Sequence, residues 1–599
     1  MITSLINSLP PGAIMMIGAL LLPLLPRNVQ GWGAVLLPVL SAIHLALLPG
    51  DLIVTLPYFG ETLTPVAVDR LSLLFGYVFH SAAFLSALYA VHVRDPVQHF
   101  AGQLYAGAAI AAAFAGDLVT LFVYWELTAI SSVFLLWASR DEGAVRAGLR
   151  YLIIQVSSGV ILLAGVILRY QSTGDLGFRE VGFLSFDSFD ELTLPTALIL
   201  FAFGIKAAFP FLHNWLQDSY PRATATGTVF LSAFTTKLAI YALARGFAGT
   251  DVLIPIGCVM TVFPIFFAVI ENDLRKVLAY SLNNQLGFMV VAIGVADFAT
   301  HPEIAQLALN GAAAHAFAHI IYKGLLFMAM GAVLYRVGTT KASELGGLYK
   351  SMPYTTVFCI IGALSISAFP LFSGFTTKSL SVYAVAEAHL VIPSLVLLFA
   401  SAGVMEHSGI KIPFFAFFAH DSGKRVKEAP WNMLLAMGIA ATLCIMLGVY
   451  PQPLYDILPF PMTNTGEHYT IVGTHVEYQN YSLTHVVTQL QLLMFAVLAF
   501  GMLMRMGAYP AEKRSVVLDF DWFYRSLIPR MIASLRDLAY EIADLVMPEV
   551  GEWLARRRLQ LFHQFNERTG RFGQTQPTGT SAIWAALLLC AFLVLYYFG

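Results

Sequence analysis

Long apolar runs follow one another along almost the whole chain, parted by short polar breaks. A membrane-crossing helix needs about 20 apolar residues at 1.5 Å rise each, and about sixteen runs meet that length. They centre near residues 19, 40, 82, 107, 127, 160, 202, 234, 262, 287, 320, 366, 396, 440, 497 and 590. Only Gly116 and Asp117 part the runs near 107 and 127, so those two also read as one long segment. The first run has no basic leader and no small-residue cleavage site, so it is expected to be a retained helix and not a signal peptide. The predicted fold class is an all-α polytopic membrane protein.

Residues 519–573 break this pattern. Leu527, Met531, Leu535, Leu538, Ile542, Leu545, Val550 and Trp553 recur at helical steps, while Arg525, Arg530, Arg536, Asp537, Glu541 and Asp544 fill the other faces. A charge at every turn forbids spanning, so the stretch is predicted to lie along the membrane surface. It reads either as one helix of roughly 75 Å, at 1.5 Å per residue, or as two or three shorter ones, with Pro529 and Pro548 as kink points. The polar linker RFGQTQPTGTS leads into a terminal anchor at residues 581–599.

Composition sharpens this picture. The 599 residues are 58% hydrophobic and 12% charged, against roughly 45–50% and 25% in soluble domains. Mean hydropathy is +0.72. A disordered chain, a collagen and a cytosolic enzyme are excluded. The net charge of −2 suggests no nucleic-acid partner. The four cysteines, Cys258, Cys359, Cys444 and Cys590, all lie in apolar runs without ligand spacing. No metal or other cofactor is therefore expected. Basic residues sort to alternate loops: Arg27, Arg94, Arg140, Arg146, Arg150, Arg222, Arg275, Lys276, Arg336, Lys341, Lys350, Lys424, Arg425 and Lys427 fall on one side. The loop from Pro451 to Ser482 holds no Lys or Arg. The basic side is then cytoplasmic and both termini face outward, in a prokaryotic-type inner membrane.

The few charges left inside apolar runs are the candidate functional residues, because an ionisable group at mid-membrane costs about 2.5–3.5 kcal/mol on insertion scales. They are Glu126, Lys206, Lys237 and Lys378, together with His315, His319 and Lys323, whose i, i+4, i+8 spacing puts them on one helix face. A stripe of titratable groups suits proton transfer, since histidine both takes and releases a proton near neutral pH. Asp117, His213, Asp218, Asp273, Glu406 and His407 are secondary candidates. Ala-Phe-Pro recurs at 208–210 and 368–370, near Lys206 and Lys378. Pro-broken spans in matching positions point to inverted repeats around a polar site. By span count the two breaks are five crossings apart, which reverses orientation. The expected organisation is N-terminal helices at 1–99, a first repeat at 100–250, a second at 251–410, C-terminal helices at 411–510, a surface helix at 511–580 and the anchor at 581–599.

These segments resemble a known family. YWEL with Glu126, IKAAFPFLHNWLQDSYPRA with Lys206, TTKLAIYAL with Lys237, DLRKVLAYSLNNQLGFM, HAFAHIIYKGLLF and SAFPLFSGFTTK with Lys378 are similar to the antiporter-like subunits shared by respiratory complex I and the multisubunit Mrp-type cation/proton antiporters. SYPRA, TTKLAIYALAR and HIIYKGLLF look like the Mrp D-type subunit, the branch that these details favour. The surface helix and anchor look like the distal subunit of complex I and its Mrp A-type relative. The segment VMEHSGIKIPFFAFF, with Glu406 and His407, departs from the family's usual aromatic and Arg, and Asn283 and Asn284 replace its small or hydroxyl residues.

The resemblance implies a subunit that moves protons, and Na⁺ or K⁺ in exchange, along a Glu–Lys–His–Lys file in the membrane plane. Its partners would be other membrane subunits and the lipid bilayer. Two alternatives accompany it: a proton-pumping subunit of a complex I-like NADH/quinone oxidoreductase, whose redox centres would lie in partners, and a membrane anchor of an inorganic-carbon uptake complex.

Overall fold

A computed structural model describes residues 7–58, 60–466, 468–510, 517–546, 553 and 556–561. The chain divides into two compact units, Met1–Val517 and Leu518–Gly599.

Eleven helices among the described residues of the first unit are long and apolar enough to cross a membrane. Shorter apolar helices at Ala13–Leu24, Leu194–Ala207 and Pro353–Ile366, with Pro96–Ala113 and Ser373–Glu387, account for the remaining apolar runs up to residue 497. The run near 590 lies outside the described residues. The runs near 107 and 127 form two helices, Pro96–Ala113 and Leu118–Trp137. Asp117 divides them because its carboxylate caps the second helix, accepting from the Thr120 amide at 2.7 Å and from the Thr64 amide at 2.7 Å.

Both Ala-Phe-Pro motifs break their helices, and they do so in the same way. Ala208 (φ 61°) and Phe211 (φ 70°) take left-handed conformations, as do Ala368 (φ 56°) and Leu371 (φ 72°). The Phe209 amide reaches back to the Gly204 carbonyl at 2.9 Å, and the Phe369 amide reaches back to Leu364 at 3.0 Å. Pro210 and Pro370 have no amide to continue the helix. A second feature also occurs twice. The Leu118 amide bonds the Leu176 carbonyl and the Phe178 amide bonds Gly116; likewise Leu274 bonds Thr340 and Ala342 bonds Asn272. Each of these bridges flanks a capping aspartate, Asp117 or Asp273.

Short strands, which the all-α expectation lacks, occur in the loops. Ile53–Tyr58 pairs with Glu61–Ala67, and Met462–Asn464, Tyr469–Ile471 and Glu477–Tyr478 form a three-stranded sheet. The first hairpin is rich in β-branched residues and turns at Gly60 with φ 83°.

Helices Leu253–Ile270 and Leu274–Val295 approach through paired glycines. A Cβ on Gly287 would stand 2.6 Å from the Gly257 carbonyl oxygen, and one on Gly257 would stand 2.6 Å from the Val291 amide nitrogen. In lipid, small residues of this kind let backbones pack closely.

In the second unit, helix Ile528–Val546 follows a π turn at Phe523–Leu527. Pro529 therefore lies inside a continuous helical run that begins at Asp521, directly after the π turn, and π turns are one place where a helix departs from its regular ladder. Met531, Leu535, Leu538 and Ile542 form an exposed apolar stripe. The continuation of this stretch and the anchor at 581–599 fall mostly outside the described residues.

Two outcomes follow. Gly287→Ala is expected to lower the thermal midpoint of the purified protein markedly, whereas Gly501→Ala, at a position with open space around it, is expected to leave it unchanged. Asp69 supplies the second. Buried Arg245 donates to both its carboxylate oxygens, at 2.5 and 2.9 Å. Burial alone would raise the Asp69 titration, but the Arg245 charge and the Ser72 hydrogen bonds outweigh it and hold the carboxyl below its ordinary value. The resulting stability is present above the unfolded value of about 3.9 and is lost as pH falls through the lower folded value. The stability gap between wild type and Asp69→Asn should therefore be largest near neutrality and close on acidification, as read by thermal melts.

Candidate functional site

Glu126 projects from Leu118–Trp137 into a notch made by Gly159 of the facing helix Glu142–Thr173. A Cβ on Gly159 would lie 1.4 Å from Glu126 Oε1, an oxygen that has no hydrogen-bond partner. Lys206 stands in the last turn of Leu194–Ala207, wholly buried just before the Ala208 break. Its Nζ donates to the Trp125 carbonyl at 2.6 Å and to Thr128 Oγ1 at 2.9 Å. It also lies 4.1 Å from the centre of the Trp125 ring, a cation–π contact. Lys206 thus bonds to neighbours of Glu126 on the same helix, while the carboxylate acts on it electrostatically. The breaks hold the two lysines differently: Lys206 precedes its Pro-broken turn and Lys378 follows its own.

Lys237 occupies an interrupted helix, Gly227–Ala233 and Thr235–Gly246, and its Nζ donates to the Ser232 carbonyl at 2.5 Å. The Thr235 amide at the interruption donates to Tyr105 Oη at 2.8 Å, and the two hydroxyls lie 2.5 Å apart. Ser132 and Tyr151 hydroxyls pair at 2.8 Å, and Tyr151 also faces Thr235. Thr128 beside Lys206 and Ser132 lie one turn apart on the same helix, and Ser132 and Tyr151 continue buried hydroxyls to the turn that carries Lys237.

Helix Pro302–Val337 brings His315, His319 and Lys323 into the core, all fully buried. The four imidazole nitrogens and the Lys323 Nζ have no hydrogen-bond partner. Lys323 and His319 face Lys237, and His315 faces Lys378. The order in space thus reverses the order in sequence along this helix. Lys378, on Ser373–Glu387, is also without a hydrogen-bond partner. It lies 5.3 Å from the centre of the Phe288 ring and borders a cavity of about 710 Å³ with Ser379, Tyr383, Glu477, Tyr478 and His485.

The secondary candidates divide. Asp117 and Asp273 are helix caps. Asp218 pairs with Arg150 at 2.7 Å and Arg222 at 3.8 Å. His213 follows the first break and packs its ring 4.5 Å from that of Phe263. These four stand apart from the lysine–histidine file. Glu406 accepts from Tyr509 Oη at 2.7 Å. His407 is drawn into the file, facing Lys323, Lys411 and Lys378.

Two further buried residues are not among the candidates that the sequence marks. Lys411 sits in the apolar stretch GIKIPFF, a signal that could have found it. Arg275 reads as a loop charge, yet it donates to the carbonyls of Pro221 at 2.8 Å and Ala223 at 2.9 Å, and to the Thr228 hydroxyl. It ties down the turn between the first broken helix and the Lys237 helix.

Residues 115–449, more than half of the chain, match the family described as NADH:quinone oxidoreductase/Mrp antiporter, transmembrane. The chain belongs to this family. It is an integral membrane protein with the family's helical fold. Hydrogenase-4 component B of Escherichia coli strain K12 is 28% identical over 358 residues, which is 55% of this chain and 52% of that protein. The Na(+)/H(+) antiporter A-subunit of Alkalihalophilus pseudofirmus is 27% identical over 577 residues, which is 86% of this chain and 70% of that protein. The corresponding A1-subunit of Staphylococcus aureus strain JH9 is 27% identical, across 82% of this chain and 66% of its own length. The chain thus spans about half to two thirds of most of these family relatives. Among solved structures, a chain of the Mrp complex from Dietzia superposes with a TM-score of 0.65 at 22% identity, over 75% of this chain and 95% of that one. A chain of the membrane-bound sulfane sulfur reductase, an archaeal respiratory membrane complex, gives 0.65 at 25% identity, over 74% and 94%. Family membership agrees with the resemblance carried by the motifs; the antiporter relatives named above are A-type subunits, whereas the motif details favour the D-type branch.

Arg275→Met should strand several buried carbonyls, each worth about 1–3 kcal/mol. The expected result is a large loss of thermal stability and of folded yield, with Arg275→Lys intermediate.

Proposed function

We propose that the chain is the proton- and monovalent-cation-translocating subunit of a multisubunit cation/proton antiporter. Protons would move along Glu126, Lys206, Lys237, Lys323, His319, His315 and Lys378, in the plane of the membrane. The observation that carries this reading is the Glu126 carboxylate, seated in the Gly159 notch beside a Lys206 held by its helix neighbours. A carboxylate near an ammonium favours the charged form of both. Displacing the carboxylate releases that hold, and the hydroxyls of Thr128, Ser132 and Tyr151 offer a path onward to Lys237. At the far end, the cavity beside Lys378 is the proposed outlet, on the side of the Lys- and Arg-free loop.

The two equal breaks and the two equal loop bridges support residues 100–250 and 251–410 as inverted repeats, flanked by the N- and C-terminal segments at the boundaries given above. The alternation of basic loops supports an inner-membrane protein of about sixteen spans, with both termini outward and the 511–580 stretch on the cytoplasmic surface. The partners are other membrane subunits of the assembly, and the transported ions are H⁺ with Na⁺ or K⁺. Similarity to the A-type antiporter subunits supports exchange. A second reading, a proton-pumping subunit of a redox-driven complex, is supported by the similarity to hydrogenase-4 component B and to a chain of the respiratory sulfane sulfur reductase.

In vesicles containing the purified complex, Glu126→Gln and Lys206→Ala should each lower pH-gradient-driven cation exchange at least tenfold without loss of assembly. Gly159→Ala should do nearly the same, because its methyl group takes the place of the Glu126 carboxylate. Wild-type exchange in the first two variants would overturn the reading. Redox subunits in the purified complex would favour the second reading.

A further inference from the structure

The helix Val391–Phe418 contains two π turns, Met405–Ile410 and Phe414–Phe418. Such turns are rare and concentrate at functional sites. The first carries His407, which is fully buried. Its ring makes one marginal hydrogen bond, to the Gly403 carbonyl one turn back. The charges that face it are Lys323 and Lys378 of the file and Lys411 on its own helix. Ser408 pins the turn against helix Leu274–Val295 by a 2.7 Å bond to the Ser281 hydroxyl.

Lys411, one turn further on, is fully buried. Its Nζ donates to the carbonyls of Val269 at 2.6 Å, Glu271 at 2.7 Å and Ala268 at 3.3 Å. These oxygens end the helix Leu253–Ile270. The Glu271 side chain, itself buried, pairs with Lys276 at 2.8 Å, and Lys276 is 28% exposed. Lys276 belongs to the basic-loop side, away from the Pro451–Ser482 loop. A series of ionisable groups therefore runs from the surface inward: Lys276, Glu271, Lys411 and His407, ending on Lys323 and Lys378.

We propose that His407 and Lys411 form a side inlet, which passes protons between the basic-loop surface at Glu271 and the Lys323–Lys378 segment of the file. This rests on the reading of that file as a proton path, and it adds an inlet downstream of Glu126 and Lys206 whose proton each transport cycle needs alongside theirs. An imidazole takes a proton on one ring nitrogen and gives up the other, so transit leaves His407 unchanged. Lys411 taken only as a cap on a helix end would account for its three carbonyl bonds. It would not account for a buried histidine held by one marginal bond, nor for the π turn that turns that histidine toward two further lysines.

The test separates these roles. Arginine can cap carbonyls but does not give up its proton in proteins. In vesicles containing the assembled complex, Lys411→Arg and His407→Gln should each lower exchange about fivefold or more with assembly intact. Wild-type exchange in both, beside an inactive Glu126→Gln control, would overturn the inlet and leave the file standing. Wild-type exchange in the Glu126→Gln control would overturn the file and the inlet with it. A readout independent of exchange uses His407→Cys in a background with Cys258, Cys359, Cys444 and Cys590 replaced. A small cationic thiosulfonate should modify it from the basic-loop face of sealed vesicles and not from the opposite face. Absence of modification from the basic-loop face overturns the inlet whatever the exchange rates show.

Discussion

A lysine ammonium inside a bilayer is stabilised where oxygen atoms take up its hydrogen bonds, because an unmet charge there costs several kcal/mol. Most of the interior follows from how this chain meets that demand. Lys206, Lys237 and Lys411 each donate to backbone carbonyls. For Lys237 and Lys411 those carbonyls come from an interrupted or ended helix, where no amide competes for them. Lys323 and Lys378 have no such oxygen. The buried cations therefore fall into a held group and an unheld group. The held ones define fixed points of charge. The unheld ones share their surroundings with imidazoles that are equally unpartnered, which is the setting in which a proton has no single preferred owner.

The polypeptide solves a second problem twice. A helix broken inside a membrane exposes amides and carbonyls that lipid cannot satisfy. At both breaks the amide just beyond the left-handed alanine turns back to a carbonyl five residues earlier, and the residue three further on closes a second turn. The indole of Trp215 takes the Ile205 carbonyl at 2.9 Å at the first break. Close approach elsewhere relies on glycine: Gly257 and Gly287 let two helices touch backbone to backbone, and Gly159 leaves the space that Glu126 fills.

Much of this is legible in the residues. The apolar runs announce the helices, and the charges inside them name Glu126, Lys206, Lys237, His315, His319, Lys323 and Lys378, which all lie buried or half-buried in one bundle. What escapes depends on contacts across the sequence. Arg275 looks like a loop charge until the carbonyls of Pro221 and Ala223 close around it. Lys411 and His407 lie in a run whose period is disturbed by π turns, so their facing cannot be counted from helical steps. Asp117 and Asp273 read as membrane carboxylates, but they begin helices, a role set by neighbouring amides. The hairpin at Ile53–Ala67 escapes because it is short and falls between two span-length apolar runs, where its pairing depends on contacts between the two strands.

Both breaks place alanine, and three residues later phenylalanine or leucine, in left-handed backbone where glycine would be relaxed. Each such residue costs about 1–2 kcal/mol, so the surroundings must over-determine the conformation. Glycine there would make a flexible pivot; a residue with a Cβ makes a braced joint. A braced joint does not swing its half-helices open and shut. On the proposed proton path, alternation between the two membrane faces would then fall to smaller moving parts, a carboxylate rotamer in a glycine notch and the hydration around unheld lysines, rather than to the half-helices.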